Sequence, residues 1–254
     1  MKASAANHTS EALTGLFSDT GDKCVLGPSY RTWRRLQHGQ EKITRFNRYL
    51  DVFGHKMRHQ NGDQHRASVC FLFTDAMIRM SEYCELDQLL LTRCINHHDE
   101  PEGITGIDTP CIHKTDNDDL VEYLVFACLY EQQGPLVWKE MQRSFLLQFC
   151  LTNPACFPDD ARQVMADLAR TRRHEALFFE GVQRVDYLYY AYECFAEHGI
   201  VRILHEVANN QLDRLDTIAD QLPGFRQVVW TAERSDFLNR FVVLMTPEPP
   251  THVG

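Results

Sequence analysis

The sequence predicts an all-α protein, a helical bundle with an extension at each end. Three observations lead there. Apolar residues recur at steps of three and four over most of the chain after about residue 40. Runs that alternate apolar and polar residues, the mark of half-buried strands, are scarce. Between the periodic stretches stand helix starts and stops of the right chemistry, among them Asp87, Gly134-Pro135, Pro158-Asp159-Asp160 and Pro223-Gly224. The organisation that follows is a polar N-terminal extension over residues 1–39, a helical core over 40–222, and a C-terminal extension and tail over 223–254.

The elements follow in order. From Gln64 onward His65, Val69, Leu72, Phe73, Ala76, Met77 and Met80 form one apolar face headed by a histidine. Residues 87–99 repeat the pattern with Leu90, Leu91, Cys94, Ile95 and His98, behind Asp87 as a helix cap. Helices are predicted over 118–130 and 136–151, separated by Gln133-Gly134-Pro135, and over 158–172, opened by Pro158. A long aromatic-rich helix over 174–197 sets Phe178, Phe179, Val182, Val185, Tyr189 and Tyr190 around Asp186, and a last one covers 201–222. Loops are expected at Asn61-Gly62, over 101–110 and 153–158, and in the proline-rich tail from Pro247.

A chain of 254 residues can bury a full core as one large domain. Its net charge of −9 and pI of about 5.7 exclude a broad surface for nucleic-acid polymers or anionic membranes. A small anionic substrate stays compatible, because a bound cation and one or two basic residues can reverse the field inside a pocket. Nine cysteines, an odd number without CxxC spacing, read as reduced and mostly buried thiols of a cytoplasmic protein. The polar N-terminus lacks the apolar run of a signal peptide, and no segment reaches the length of a membrane span.

The chemistry is densest at Asn96-His97-His98-Asp99-Glu100-Pro101-Glu102, which closes the apolar stretch over 89–95. Charged side chains leaving a buried helix need a partner, and a divalent cation supplies one. His65, His98-Asp99 and Asp186 each sit on or beside the apolar stripe of a separate helix, so all can project into one bundle interior. Two imidazoles and two carboxylates suit Co, Mn, Fe, Zn or Mg and leave the choice of metal open. The apolar stripe and the adjacency to Asp99 favour His98 over His97 as the ligand. Glu102, three residues beyond Asp99, is the candidate general base or acid, and Asp108 shares that candidacy.

This order, His65, then His98-Asp99, then Asp186, resembles the H…HD…D pattern of the HD-domain metal-dependent phosphohydrolases. The nearest likeness is to the branch of bacterial 5′-deoxynucleotidases and their eukaryotic relatives. Arg58 precedes His65 by seven residues, where that family places a substrate-binding arginine. His98-Asp99-Glu100-Pro101-Glu102 followed by Thr105-Gly106 resembles its HDxxE segment and Thr-Gly turn, and Val185-Asp186-Tyr187-Leu188 resembles the segment of its last ligand. The likeness covers roughly residues 53–197. Two departures stand out. Ile107 separates the Thr-Gly turn from Asp108, and Pro101 lies inside HDxxE, where it is expected to end the helix at once and leave Glu102 on a loop.

The resemblance implies an HD-domain helical core, one divalent metal on His65, His98, Asp99 and Asp186, and Arg58 with Lys56 as the positive charges that hold a phosphate. It also implies release of phosphate from a (deoxy)nucleoside 5′-monophosphate or similar small phosphoester, and a homodimer. Two alternatives remain within the likeness: hydrolysis of nucleoside triphosphates, and a catalytically weak module that binds a nucleotide.

Overall fold

Apolar periodicity becomes helix wherever the structure is described. The computed structural model describes residues 38–43, 62–109, 113–152, 154–199 and 202–245, and among them are a helical stretch over 38–42, ten α-helices from Gly62 onward and no strand. In chain order these are α1 (Gly62–Met80), α2 (Gln88–His97), α3 (Glu100–Thr105), α4 (Asp116–Tyr130) and α5 (Pro135–Leu146). The second half holds α6 (Asp159–Thr171), α7 (Arg173–His198), α8 (Arg202–Gln221), α9 (Phe225–Val228) and α10 (Ala232–Met245). Lys56 and Arg58 lie outside the described residues.

The bundle is organised around α7, which is 26 residues long. It packs along α8 and also meets α1, α6 and α10, while α2 lies between α1 and α5. Its buried residues Phe178, Phe179, Val182, Val185 and Leu188 come at steps of one and three, which keeps them turned inward. Phe73 of α1 contacts the rings of Phe178 and Phe179, each at 5.4 Å between centroids. Burying a side chain of this size stabilises the fold by about 1.5–3 kcal/mol, which is enough to seat α1 on α7.

Local chemistry explains where helices start. The Asp87 side chain accepts from Leu90 N at 3.0 Å, and the Asp87 backbone N–H donates to Glu175 at the head of α7, so α2 and α7 begin together. The fourth helix starts at Asp116, two residues earlier than periodicity placed it, because Thr115 and Asp118 form a reciprocal capping box.

Two expectations change. Residues 100–105 are helix rather than loop: Pro101 falls in the first turn of α3, where the N–H it lacks would have no partner in any case. Glu102 is therefore held on a helix. The chain turns only at Gly106, whose φ of 69° is one that glycine adopts without strain.

Residues 225–242 pack into the core. Phe225, Trp230, Leu238 and Phe241 are buried in the same cluster as the residues of α7. The seven described cysteines are free, and no helix among the described residues is long and apolar enough to cross a membrane.

Candidate metal centre

His65 sits in the first turn of α1, His98 caps the end of α2, and Asp99 is the N-cap residue of α3. An aspartate at an N-cap usually accepts from a backbone N–H of the first turn. Asp99 makes no such bond. Its Oδ2 stands 3.3 Å from His65 Nε2 and 3.0 Å from His98 Nε2.

Each imidazole is oriented from behind. His98 Nδ1 lies 2.8 Å from the Ile95 carbonyl, an oxygen that can only accept, so Nδ1 carries the hydrogen and Nε2 presents a lone pair. On His65, Nδ1 is 3.1 Å from Asp186 Oδ2, and donation to that carboxylate likewise turns the Nε2 lone pair toward Asp99. Tyr187 lies parallel to the His65 ring at 6.4 Å, and Phe179 meets the His98 ring edge-on at 5.3 Å.

Three acceptors thus face one another in a nearly buried corner. Among the described residues, His98 Nε2 and Asp99 Oδ2 have no hydrogen-bond partner. Buried lone pairs at this separation repel unless a positive charge stands between them. Ligand atoms about 2.1 Å from a shared cation lie roughly 3.0–3.4 Å apart in octahedral or tetrahedral arrangement, and the distances from Asp99 to the two histidines fall in that interval. His65, His98 and Asp99 therefore fit a divalent ion, with all three ligand atoms within 4.8 Å of one another.

Asp186 occupies a different place from the one the resemblance implies. Its two oxygens engage α1, one at His65 Nδ1 and the other accepting from Ser68 Oγ at 2.9 Å. The three-residue cluster does not include it. It stands behind His65, at the ring nitrogen that does not face Asp99.

The corner between α2 and α3 is pinned from outside. Glu100 is buried between His97, whose Nδ1 lies 2.9 Å from Oε1, and Tyr130, whose hydroxyl donates to Oε2 at 2.7 Å. Gln40 donates its side-chain amide to the Asp99 carbonyl. His97 thus serves the frame, and His98 faces the cluster.

The cluster opens into a cavity of about 530 Å³ whose wall includes Glu102, Asp108, Lys114, Arg184 and Arg214. The one-residue shift after the Thr-Gly turn leaves Asp108 on this wall. When no metal is bound and protons occupy the two Nε2 positions instead, His98 and His65 attract and hydrogen-bond the Asp99 carboxylate, outweigh its burial and hold the group well below the usual carboxylate range. Glu102 moves the other way: burial and the charges of Asp108, Asp99 and Glu122 push it well above its ordinary value, with Lys114 only partly opposing. Glu122, 2.7 Å from Lys114 Nζ, is pushed up to about 7 by burial despite that partner. Burial would lower Lys114, but Glu122, Asp119 and Glu102 hold its ammonium well above the usual lysine value.

Lys114, Glu122, Glu180, Arg184 and Arg214 were not singled out from sequence. The only local signal was Glu180-Arg184, a four-residue pair that reads equally well as an ordinary solvated ion pair on a helix surface. No family model, no curated protein and no solved structure matches this chain.

Proposed function

We propose that the protein is a metal-dependent phosphohydrolase of the HD-domain type, releasing phosphate from a (deoxy)nucleoside 5′-monophosphate or similar small phosphoester. One observation carries this reading: His65, His98 and Asp99 converge on the wall of a cavity large enough for a nucleotide, with His98 Nε2 and Asp99 Oδ2 buried and without a hydrogen-bond partner among the described residues. A divalent cation held there would polarise a phosphoryl oxygen and make a water molecule acidic enough to attack phosphorus near neutral pH.

The chain's own residues supply orientation and proton handling. Asp186 and the Ile95 carbonyl fix the two imidazoles with their Nε2 lone pairs toward the cluster. Burial and its acidic neighbours raise the proton affinity of Glu102 well above the ordinary carboxylate value, which suits it to give a proton to a departing oxygen. Asp108 acts on Glu102 through its charge, raising the proton affinity of that carboxyl. Lys114 stays cationic on the same wall, where it offsets part of the acidic surround. Arg58 and Lys56 keep the phosphate-holding role that the resemblance implies.

The test is phosphate release from a panel of nucleoside and deoxynucleoside monophosphates with Co, Mn or Mg, alongside metal analysis of the purified protein. The expected result is one metal per chain and metal-dependent turnover that His98→Ala and Asp99→Ala abolish. Turnover that survives either substitution removes the assignment.

A further inference from the structure

The cavity has a second chemical feature that the hydrolytic reading does not use. Glu180, Gln183, Arg184 and Tyr187 line it from one face of α7, at helical spacing, and Gln211 and Arg214 line it from α8. On these two helices, which elsewhere bury apolar residues against each other, a polar stripe faces the cavity.

Within the stripe two guanidiniums share one carboxylate. Arg184 donates to Glu180 Oε1 from Nε and Nη2, at 2.9 and 2.7 Å. Arg214 donates to the same carboxylate from Nε and Nη2, at 2.8 and 2.6 Å. Gln211 is fully buried, accepts from Arg184 Nη1 and donates to the Val207 carbonyl, so it fixes the height of that guanidinium. Arg214 Nη1 makes no hydrogen bond among the described residues. The group carries one excess positive charge and has donors to spare, in a cavity whose wall also carries Glu102, Asp108 and Asp119.

An exposed ion pair linking α7 to α8 would need one arginine and no buried glutamine. A fork of two arginines, prepositioned by a carboxylate and an amide, matches a phosphate group, which accepts several planar N–H donors at once. Arg184 and Arg214 share with His98 and Asp99 the wall of one cavity of about 530 Å³, room enough for a nucleotide-sized molecule.

We propose that Arg184 and Arg214 form an anion subsite that takes a phosphate group of the substrate other than the one attacked. This rests on the hydrolase reading and moves its substrate from a nucleoside monophosphate, which has no second phosphate, to a similar small phosphoester that carries one. The second phosphate belongs either to a polyphosphate chain or to another hydroxyl of the same nucleoside.

The subsite can be tested without turnover. Pyrophosphate is titrated calorimetrically into the full chain in the presence of EDTA, so that the metal cluster takes no part. The expected result is one site per chain, weakened about tenfold or more by Arg184→Gln and by Arg214→Gln, tightened by Glu180→Gln, and unchanged by His98→Ala. Arg184→Lys and Arg214→Lys, which keep the charge, are expected to retain part of the affinity, and thermal melting of each variant reports whether it folds. No binding by the wild type, or equal binding by folded glutamine variants, overturns the proposal. Competition by a nucleoside 5′-diphosphate and by a nucleoside 3′,5′-bisphosphate then assigns the second phosphate to chain or sugar. If pyrophosphate binds as expected but no phosphoester is hydrolysed with any metal, the hydrolase reading fails and the subsite stands.

Discussion

Asp186 Oδ2 stands 3.1 Å from Nδ1 of His65, at the opposite ring nitrogen from the one facing Asp99. With its other oxygen committed to Ser68, the carboxylate reads as the part that sets the tautomer and angle of a ligand. Asp186→Asn is expected to weaken divalent-metal affinity by about 10–100-fold while leaving one metal per chain at saturation. Asp99→Ala is expected to abolish binding. Competition against a chromogenic chelator separates the two, and an equal loss in both variants would make Asp186 a direct ligand.

Metal should stabilise the fold, because the unfolded chain cannot assemble the three groups. At a free metal concentration a hundredfold above Kd the gain is about 2.7 kcal/mol. For a chain of this size that is a rise of roughly 5–10 °C in Tm. Calorimetric scans with Mn or Co against EDTA measure it, and His98→Ala is expected to remove the difference.

The pH dependence of the metal-free protein follows from opposed carboxyls. Glu122 binds its proton more tightly folded than unfolded, so its contribution is complete below about 4.5 and is lost as the pH rises through about 7. Glu102 acts in the same direction, and Asp99 in the opposite one, its contribution being lost only as the pH falls through its depressed value. Through Glu122, stability is therefore expected to fall between about pH 4.5 and about pH 7. Glu122→Gln should flatten that fall by on the order of 3 kcal/mol. Urea titrations across the range check it, and an unchanged slope in the variant would refute the account.

Packing of the C-terminal segment can be probed at Gly181 of α7. A Cβ there would lie 2.3 Å from Cζ of Phe225, whose ring is fully buried and cannot swing aside. Gly181→Ala is expected to cost about 1–3 kcal/mol. Adding Phe225→Leu should recover part of the loss, whereas a larger loss in the double variant would show that the two sites do not touch.

Much of this was legible along the chain. The helix faces of α1, α2 and α7, the cap at Asp87 and the histidine and carboxylate types of the cluster are local features, set by side-chain spacing and by backbone groups a few residues away. Pro101 misled because its meaning depends on position. Inside a helix it breaks the ladder, but in the first turn of α3 it costs no bond, and only the placement of Asp99 as N-cap decides between them.

The sequence by itself determined that the chain is helical, which faces are apolar, and that two histidines and two aspartates stand near those faces. Tertiary structure alone decided that Asp186 backs His65, that Lys114 lies between Glu122 and Asp119, and that Arg184 and Arg214 share Glu180 across two helices. The reason is physical: spacing along a helix fixes direction within that helix. The meeting of side chains from different helices depends on how their faces pack, and no single helix carries that information.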